Sequence, residues 1–180
     1  ELVHSKQMFS PGQFLENLVG FDLALLTKNH DFLQLFPHMF PFWKGKFIYP
    51  KGIFLKTDWW KELEKEIEYF PKFKLNCFVQ VKRPEKMHSK RAAEYNSWNQ
   101  PYFRFDTFAS QQQALTSLAQ RTSGNAIVVY ACPAFHTYKT LFKARYSKKL
   151  VRESNFCEVQ KLDGHSRYSF VSPGNKGMAH

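Results

Sequence analysis

The chain has 180 residues, of which 43% are hydrophobic and 17% aromatic, including 19 Phe. A chain of this length normally forms one domain, and its aromatic content excludes a largely disordered protein. The longest apolar run, residues 126–135, is far shorter than the ~20 residues that a membrane-spanning helix needs. We therefore expect a single domain over residues 1–180 and no membrane partner.

The charged residues are unequally divided between the two signs. Lys and Arg number 26 while Asp and Glu number 15, which gives a net charge of +11. A surplus of this size favours a polyanionic partner, which can be DNA, RNA or an anionic membrane. The sequence shows neither a lipidation signal nor a basic amphipathic helix, the two features that would favour binding to a membrane. The sequence therefore predicts a nucleic-acid partner.

The three cysteines, Cys77, Cys132 and Cys157, form no C-x-x-C pair. Cys77 and Cys132 lie in apolar runs, which favours buried free thiols in a reducing compartment, and hence a cytoplasmic protein. The histidines are scattered, so no structural zinc site is expected. Cys132, followed by His136, also permits a thiol nucleophile, but its place at the end of an apolar run favours a core cysteine.

The predicted elements begin with a helix that starts at Ser10-Pro11 and stops at Gly20, because Ser caps helices and Pro fits their first turn. The compact apolar run Phe21–Thr27 then predicts a strand with Asp22 near its start. Residues 28–73 form an aromatic- and Pro-rich insertion. Within it the sequence predicts a helical turn, a second strand and a charged helix, at Asp31–Phe36, Gly52–Lys56 and Trp59–Tyr69.

The clearest strand follows at residues 74–82, where apolar and polar side chains alternate. Residues 86–100 are polar, and we expect them to be exposed. Three further elements are predicted: a helix, a strand apolar on both faces and a basic helix, at Gln111–Gln120, Ala126–Cys132 and Thr137–Lys149. Residues 150–180 form a C-terminal extension of short strands and turns. Alternating strands and helices predict an α/β fold with a central mixed sheet flanked by helices.

Two short segments on predicted strands suggest chemistry: Gly20-Phe21-Asp22 near the start of one, and Gln80-Val81-Lys82-Arg83 at the end of another. Together they resemble the PD-(D/E)XK nuclease superfamily, in the Q-x-K form similar to Mrr-type restriction endonucleases. Glu16, in the preceding helix, resembles the acid of that superfamily's first helix. The resemblance covers residues 10–145 and implies a restriction-endonuclease-like αβββαβ core.

Gln80 and Lys82 are two residues apart on a strand, so their side chains project from the same face. The resemblance implies Mg²⁺ or Mn²⁺ held by oxygens of Asp22, Gln80 and the Val81 carbonyl, the hard ligands that such cations prefer. Lys82 would stand beside the attacking water and the scissile phosphate, where a cation stabilises developing negative charge. Glu16 completes the implied catalytic set.

The family resemblance implies a metal-dependent endonuclease acting on nucleic acid, with DNA favoured over RNA, in bacterial restriction or anti-phage defence. A homo-oligomer or an activating partner subunit fits this setting. Two alternatives stay open. Asp58, after the predicted strand Gly52–Lys56, could be the metal-binding acid, although the sequence favours Asp22. The chain could also be a non-catalytic nucleic-acid-binding or assembly module, because Gln80 stands where an acid is usual.

Two basic stretches are the predicted nucleic-acid footprint, since phosphate contacts give affinity without sequence information. Arg83 would hold a phosphate next to the scissile one. The other predicted contacts share a positive charge and are Lys86, Lys90 and Arg91 in the first stretch, and Lys139, Lys143, Arg145, Lys148 and Lys149 in the second. Aromatic residues at helical spacing interleave with the second stretch, and we expect them in the core: Tyr138, Phe142 and Tyr146.

Overall fold

The computed structural model describes residues 8–10, 20–37, 42–43, 46–47, 51–54, 74–122 and 124–180. Two predicted helices, at residues 11–18 and at Trp59–Tyr69, lie outside these residues, and so do Glu16 and Asp58. The described residues form a mixed α/β structure. Its helices are His30–Leu33 (α1), Tyr95–Trp98 (α2), Ala109–Thr122 (α3) and Tyr138–Tyr146 (α4).

The strands belong to a central sheet, a second sheet and a short hairpin. In chain order they are Met8–Phe9 (β1), Leu23–Leu25 (β2), Phe42–Trp43 (β3), Lys46–Phe47 (β4), Cys77–Val81 (β5), Glu85–Met87 (β6), Tyr102–Asp106 (β7), Ile127–Pro133 (β8), Ser154–Glu158 (β9), Arg167–Phe170 (β10) and Met178–Ala179 (β11). A 3-10 helix, Val159–Leu162, follows β9. β3 and β4 form the hairpin within the insertion.

The central sheet has the strand order β1-β2-β5-β8-β9. β5 and β8 are parallel, with Val81 opposite Ala131, and the remaining neighbours are antiparallel. The predicted central mixed sheet is therefore confirmed. Because β5 and β8 run in the same direction, the carboxyl ends of both strands lie at one edge of the sheet. Lys82 follows β5 at this edge, and α4 follows β8 there.

Both faces of the central sheet are covered. One face packs against α3 and the second sheet, with Phe78, Leu115 and Phe105 buried in one cluster. The other face packs against α1 and the turn after it, where Phe32 and Phe36 meet Val129. Burying a side chain such as Phe contributes about 1.5–3 kcal/mol, so these two layers hold the sheet in place.

The second sheet is antiparallel, with the order β11-β10-β7-β6. Residues 86–100 are mostly exposed or half-buried, as predicted, and they contribute part of β6 and all of α2. Glu94, just before α2, is 5% exposed. Its burial is possible because Arg167 and Arg104 neutralise it at 3.1 and 3.6 Å. The residues of the C-terminal extension supply β9 to the central sheet and β10 and β11 to this one.

Six described elements lie where the sequence predicts them: the strands around Leu23–Leu25, Cys77–Val81 and Ile127–Pro133, and the helices α1, α3 and α4. The strand predicted at Gly52–Lys56 is, in the described residues 51–54, an isolated bridge between Ile53 and Leu75. Gly52 has a φ of 72°, which interrupts the extended backbone. No helix among the described residues has the length and hydropathy to cross a bilayer.

α4 has the predicted position, but its aromatic residues are not in the core. Tyr138, Phe142 and Tyr146 are 80%, 50% and 85% exposed, and Ala144 is the buried residue of the helix. Helical spacing of apolar residues predicts a buried face only where another element covers that face. The prediction that these rings belong to the core is therefore wrong.

Candidate active site

Asp22 is fixed at the carboxyl end of β5 by contacts with that strand. Its Oδ2 accepts hydrogen bonds from the backbone N–H of Val81 at 2.6 Å and from Nε2 of Gln80 at 2.8 Å. Its own backbone N–H donates to the Val79 carbonyl at 3.0 Å. These contacts join residues 57 to 59 positions apart in the chain and place the carboxylate beside the last residues of β5.

Gly20 allows the chain to approach α3 closely before it reaches Asp22. Its φ is 80°, and a Cβ there would lie 3.1 Å from both Ala114 Cβ and Leu115 Cγ. A side chain would therefore be strained by the backbone and crowded by the helix. This close packing sets the distance between the Asp22 segment and the first turns of α3.

The Gln80 side chain is buried, with 4% exposure, and its amide lies between the Asp22 carboxylate and the Val81 carbonyl. Its Nε2 donates to Asp22 and also lies 3.3 Å from the Val81 carbonyl oxygen. Its Oε1 is buried and has no hydrogen-bond partner within the described part of the chain. A buried amide oxygen without a partner is costly, because its interaction with water is lost and not replaced.

Lys82 continues the direction of β5, and its backbone N–H donates to the Ala131 carbonyl at 2.8 Å. Its ammonium donates to Oε1 of Gln111 on α3 at 2.5 Å. Two aromatic rings stand near this ammonium, Phe108 at 5.3 Å and Tyr130 at 5.4 Å from Nζ to the ring centre. Phe108 itself is 72% exposed. The Lys82 ammonium is therefore partly covered by the two rings but lies near a surface that a ligand can reach.

The structure thus brings Asp22, Gln80 and Val81 into direct contact and places Lys82 on the face covered by α3. No group of three or more carboxylate, imidazole or thiol side chains assembles within the described residues. Any metal site here would therefore consist of one carboxylate, one amide and a main-chain carbonyl, with Glu16 outside the described residues. Gln111 and Phe108 join the candidate site although neither was predicted there, and the run of three Gln at 111–113 is the sequence signal for Gln111.

The predicted phosphate-binding residues lie on exposed segments near this edge. Arg83, Lys90 and Arg91 are exposed, while Lys86 is half-buried with its Nζ 5.5 Å from the centre of the Phe103 ring. The residues of the second stretch are also exposed: Lys139, Lys143, Arg145, Lys148 and Lys149. The two stretches approach each other where the rings of His88 and His136 lie 6.2 Å apart.

Cys77 and Cys132 are core residues, as predicted, and Cys157 is a core residue as well. All three are buried free thiols. Burial raises the pKa of Cys77 and Cys132 well above the ordinary range and raises that of Cys157 to about 12. A thiol that stays protonated at neutral pH is a poor nucleophile. Cys132 therefore gives no support to thiol chemistry beside His136.

Comparison of the chain with protein-family models, with curated proteins and with solved structures found no match. A function for the chain therefore has to rest on its own contacts and charges.

Proposed function

We propose that the chain is a metal-dependent nuclease that hydrolyses phosphodiester bonds in nucleic acid, with DNA as the favoured substrate. The observation that carries the proposal is the contact of Asp22 with Gln80 and Val81 at the end of β5, with Lys82 following directly. The resemblance to the PD-(D/E)XK superfamily implies this arrangement, with Asp22, Gln80 and Val81 as the metal ligands and Lys82 as the lysine beside the phosphate.

The residues present fit Mg²⁺ or Mn²⁺. Asp22 supplies a carboxylate, Val81 a carbonyl and Gln80 an amide whose buried Oε1 has no partner among the described residues. Nε2 of Gln80 bridges the Asp22 carboxylate and the Val81 carbonyl. Half a turn of the amide would place Oε1 beside these two oxygens. Such cations prefer oxygen ligands and complete their coordination with water and substrate phosphate.

Lys82 would act on the phosphate rather than on the metal. Gln111 holds its ammonium in place, and the rings of Phe108 and Tyr130 reduce its exposure to water. A fixed cation in such surroundings stabilises the negative charge that develops on the phosphate oxygens. A bound divalent cation would supply Lewis-acid activation and lower the pKa of the attacking water. The water oxygen would bond to phosphorus and release one proton to solvent, the bond to the leaving sugar oxygen would break, and solvent would supply a proton to that oxygen.

The order of elements supports a restriction-endonuclease-like core. Asp22 lies immediately before β2, and Gln80 and Val81 lie on β5. α3 then precedes β8, which is parallel to β5. This order is the later part of the αβββαβ pattern. A role in bacterial restriction or anti-phage defence follows from analogy with the family alone.

One observation favours the non-catalytic alternative. The Asp22 carboxylate already accepts two hydrogen bonds, from Val81 and Gln80, at 2.6 and 2.8 Å. A carboxylate satisfied in this way can have a structural role without any cation. The chain would then bind nucleic acid through its basic surface and cut nothing.

Cleavage and metal binding together test the proposal. The full chain is incubated with supercoiled, linear and single-stranded DNA in Mg²⁺, Mn²⁺ or EDTA. Lys82→Ala should reduce cleavage about a hundredfold or more, the scale for losing one electrostatic stabiliser, and leave affinity nearly unchanged. Arg83→Ala is the neighbouring control and should act mainly on affinity. If the Lys82→Ala variant cuts as fast as the wild type, Lys82 does not stabilise the charge that develops on the phosphate.

Metal binding is measured separately from activity. Mg²⁺ and Mn²⁺ should raise the Tm of the wild-type chain, because a ligand that binds only the folded state stabilises it. Asp22→Ala should remove this rise, while Asp31→Ala, which alters an exposed carboxylate, should keep it. A wild type that binds DNA, shows no Tm rise and cuts no substrate would establish the non-catalytic module.

A further inference from the structure

α4 presents a row of aromatic rings to solvent on a strongly basic segment. Tyr138, Phe142 and Tyr146 follow one another at intervals of four residues and are 80%, 50% and 85% exposed. Residues 137–152 contain six Lys and Arg residues and no Asp or Glu. Large exposed apolar groups mark interaction surfaces, and the charge here points to an anionic partner.

The rings and the cations of α4 are arranged side by side. Successive residues of a helix turn by about 100°, so the three rings form a band about 80° wide, opposite the buried Ala144. Arg145 projects on one side of this band, and Lys139 and Lys143 project on the other. A ligand lying along the band would meet rings at its centre and positive charge on both flanks.

The spacing of the rings fits unpaired bases. Four residues of helix rise about 6 Å, so neighbouring rings are separated by more than the ~3.4 Å between stacked bases of a duplex. Bases of a duplex are also already stacked and paired with one another. An extended single strand can offer one base to each ring while its phosphates contact the flanking cations.

We propose that α4 binds a single-stranded segment of the nucleic-acid substrate, with unpaired bases stacked on Tyr138, Phe142 and Tyr146. This inference rests on the proposed function, because it takes nucleic acid as the ligand of the same surface. It narrows the proposed DNA substrate to one with an unpaired stretch, such as a single strand, a flap or a bubble.

The position of α4 relative to Lys82 agrees with this assignment. β5 and β8 are parallel, and the Lys82 backbone hydrogen bonds to Ala131 near the end of β8. α4 begins shortly after β8, and His136 just before it contacts His88 of the first basic stretch. A strand lying along α4 can therefore continue across the basic surface toward Lys82. The exposed ring of Phe108 beside Lys82 offers a further stacking position there.

An anionic membrane is the competing partner for a basic helix with exposed rings. Two of the three rings are Tyr, and cations flank the band on both sides of its centre. A membrane-binding helix instead gathers its apolar residues on one face and its cations on the opposite face. The arrangement in α4 favours nucleic acid.

The test measures binding in EDTA, so that no cleavage occurs. Fluorescence anisotropy follows three DNA ligands of about 12 nucleotides, a length within known single-strand site sizes: a mixed-sequence strand, its duplex and an abasic strand. Each ring that stacks on a base should contribute at least fivefold to the affinity. The variant Tyr138→Ala/Phe142→Ala/Tyr146→Ala should therefore bind the mixed-sequence strand more weakly by at least this factor for every stacking ring that it loses. Its affinity for the duplex and the abasic strand should change by less than about twofold, because neither offers free bases.

The matched control is Tyr138→Phe/Tyr146→Phe, which keeps all three rings and should bind the mixed-sequence strand like the wild type. Equal losses on all three ligands, or no loss on the strand, would overturn the inference while leaving the nuclease proposal standing. Loss of binding to vesicles containing about 30% phosphatidylserine, with DNA binding unchanged, would assign α4 to membranes instead. A wild type that binds none of the DNA ligands would overturn both proposals.

Discussion

The ammonium of Lys82 donates a hydrogen bond to Oε1 of Gln111, 29 residues later in the chain, at 2.5 Å. The bond connects the end of the central β5 strand to the first turns of α3. A neutral acceptor holds the cation in place without cancelling its charge. Gln111 is therefore a positioning residue for Lys82 in the proposed chemistry.

Gln111→Leu should lower kcat for cleavage about tenfold, or roughly 1.4 kcal/mol of transition-state stabilisation, with little change in KM. Gln111→Glu keeps an acceptor for Lys82 but places a negative charge beside the ammonium, so it should also lower kcat, by cancelling the positive charge rather than by releasing the side chain. Gln113→Leu changes an exposed residue of the same helix and serves as the control. Steady-state kinetics and Tm values are measured for all three. A loss of Tm that parallels the loss of rate would mean that Gln111 supports only the fold.

Gly20 and Gly124 form a matched pair for testing how closely the Asp22 segment packs on α3. Both have positive φ, 80° and 75°, but a Cβ would meet α3 atoms at 3.1 Å only at Gly20 and nothing within 4 Å at Gly124. Gly124→Ala should lower the free energy of unfolding by about 1–2 kcal/mol from backbone strain alone. Gly20→Ala should add a packing cost of about 1–3 kcal/mol. Urea denaturation measures both, and equal losses would contradict the close packing.

Binding to nucleic acid should weaken steeply with salt, because neutralised phosphates release counterions. The variant Lys143→Ala/Lys148→Ala/Lys149→Ala removes three exposed cations from the second basic stretch. It should reduce the slope of log affinity against log salt by about 2 on single strands, at ~0.7 for each contact. Lys51→Ala/Lys74→Ala/Lys161→Ala removes the same charge from exposed lysines outside both basic stretches. An equal change in slope for the two variants would show that only net charge matters.

The Glu94 cluster predicts acid sensitivity of the fold. Burial alone would raise the pKa of Glu94, but hydrogen bonds from Tyr102 and Arg167 outweigh it and lower this pKa to about 2. Since the folded-state pKa is depressed, the stabilisation is complete above the unfolded pKa of about 4.5 and is lost as pH falls toward 2. The free energy of unfolding should therefore decline over this range, and Glu94→Gln should flatten the decline. Asp31→Asn, at an exposed ion pair, should leave the pH dependence unchanged.

The central sheet was predictable because its strands carry local signals. Residues 74–82 alternate between apolar and polar side chains, and Ile127–Pro133 lies in a continuous apolar run. β7 of the second sheet carries a shorter signal, because only Phe103, Arg104, Phe105 and Asp106 alternate between apolar and polar side chains. The charge of Arg104 is met by Glu85 and Glu94 from other segments, at 2.9 and 3.6 Å. Such pairing depends on the tertiary fold and leaves no pattern in the local sequence.

The site was predictable to a similar extent. Asp22, Gln80 and Lys82 were selected by their places on strands, and the strand period of two puts Gln80 and Lys82 on one face. Gln111 was missed because the rotation of α3 against the sheet decides which Gln of residues 111–113 meets Lys82. The rings of α4 were misassigned for the same physical reason. Periodicity describes a helix face but not what packs against it.

The contacts that fix Asp22 join residues almost sixty positions apart, and those between Thr27 and Asn76 join residues 49 apart. Closing such loops loses chain entropy before any long-range contact compensates for it, and sheets built this way fold slowly. α3 and α4, whose hydrogen bonds are local, can form early during refolding. The Asp22 carboxylate and the Gln80 amide meet only after β2 and β5 have paired. We therefore expect a refolding chain to regain helical signal before it regains the contact between Asp22 and Gln80.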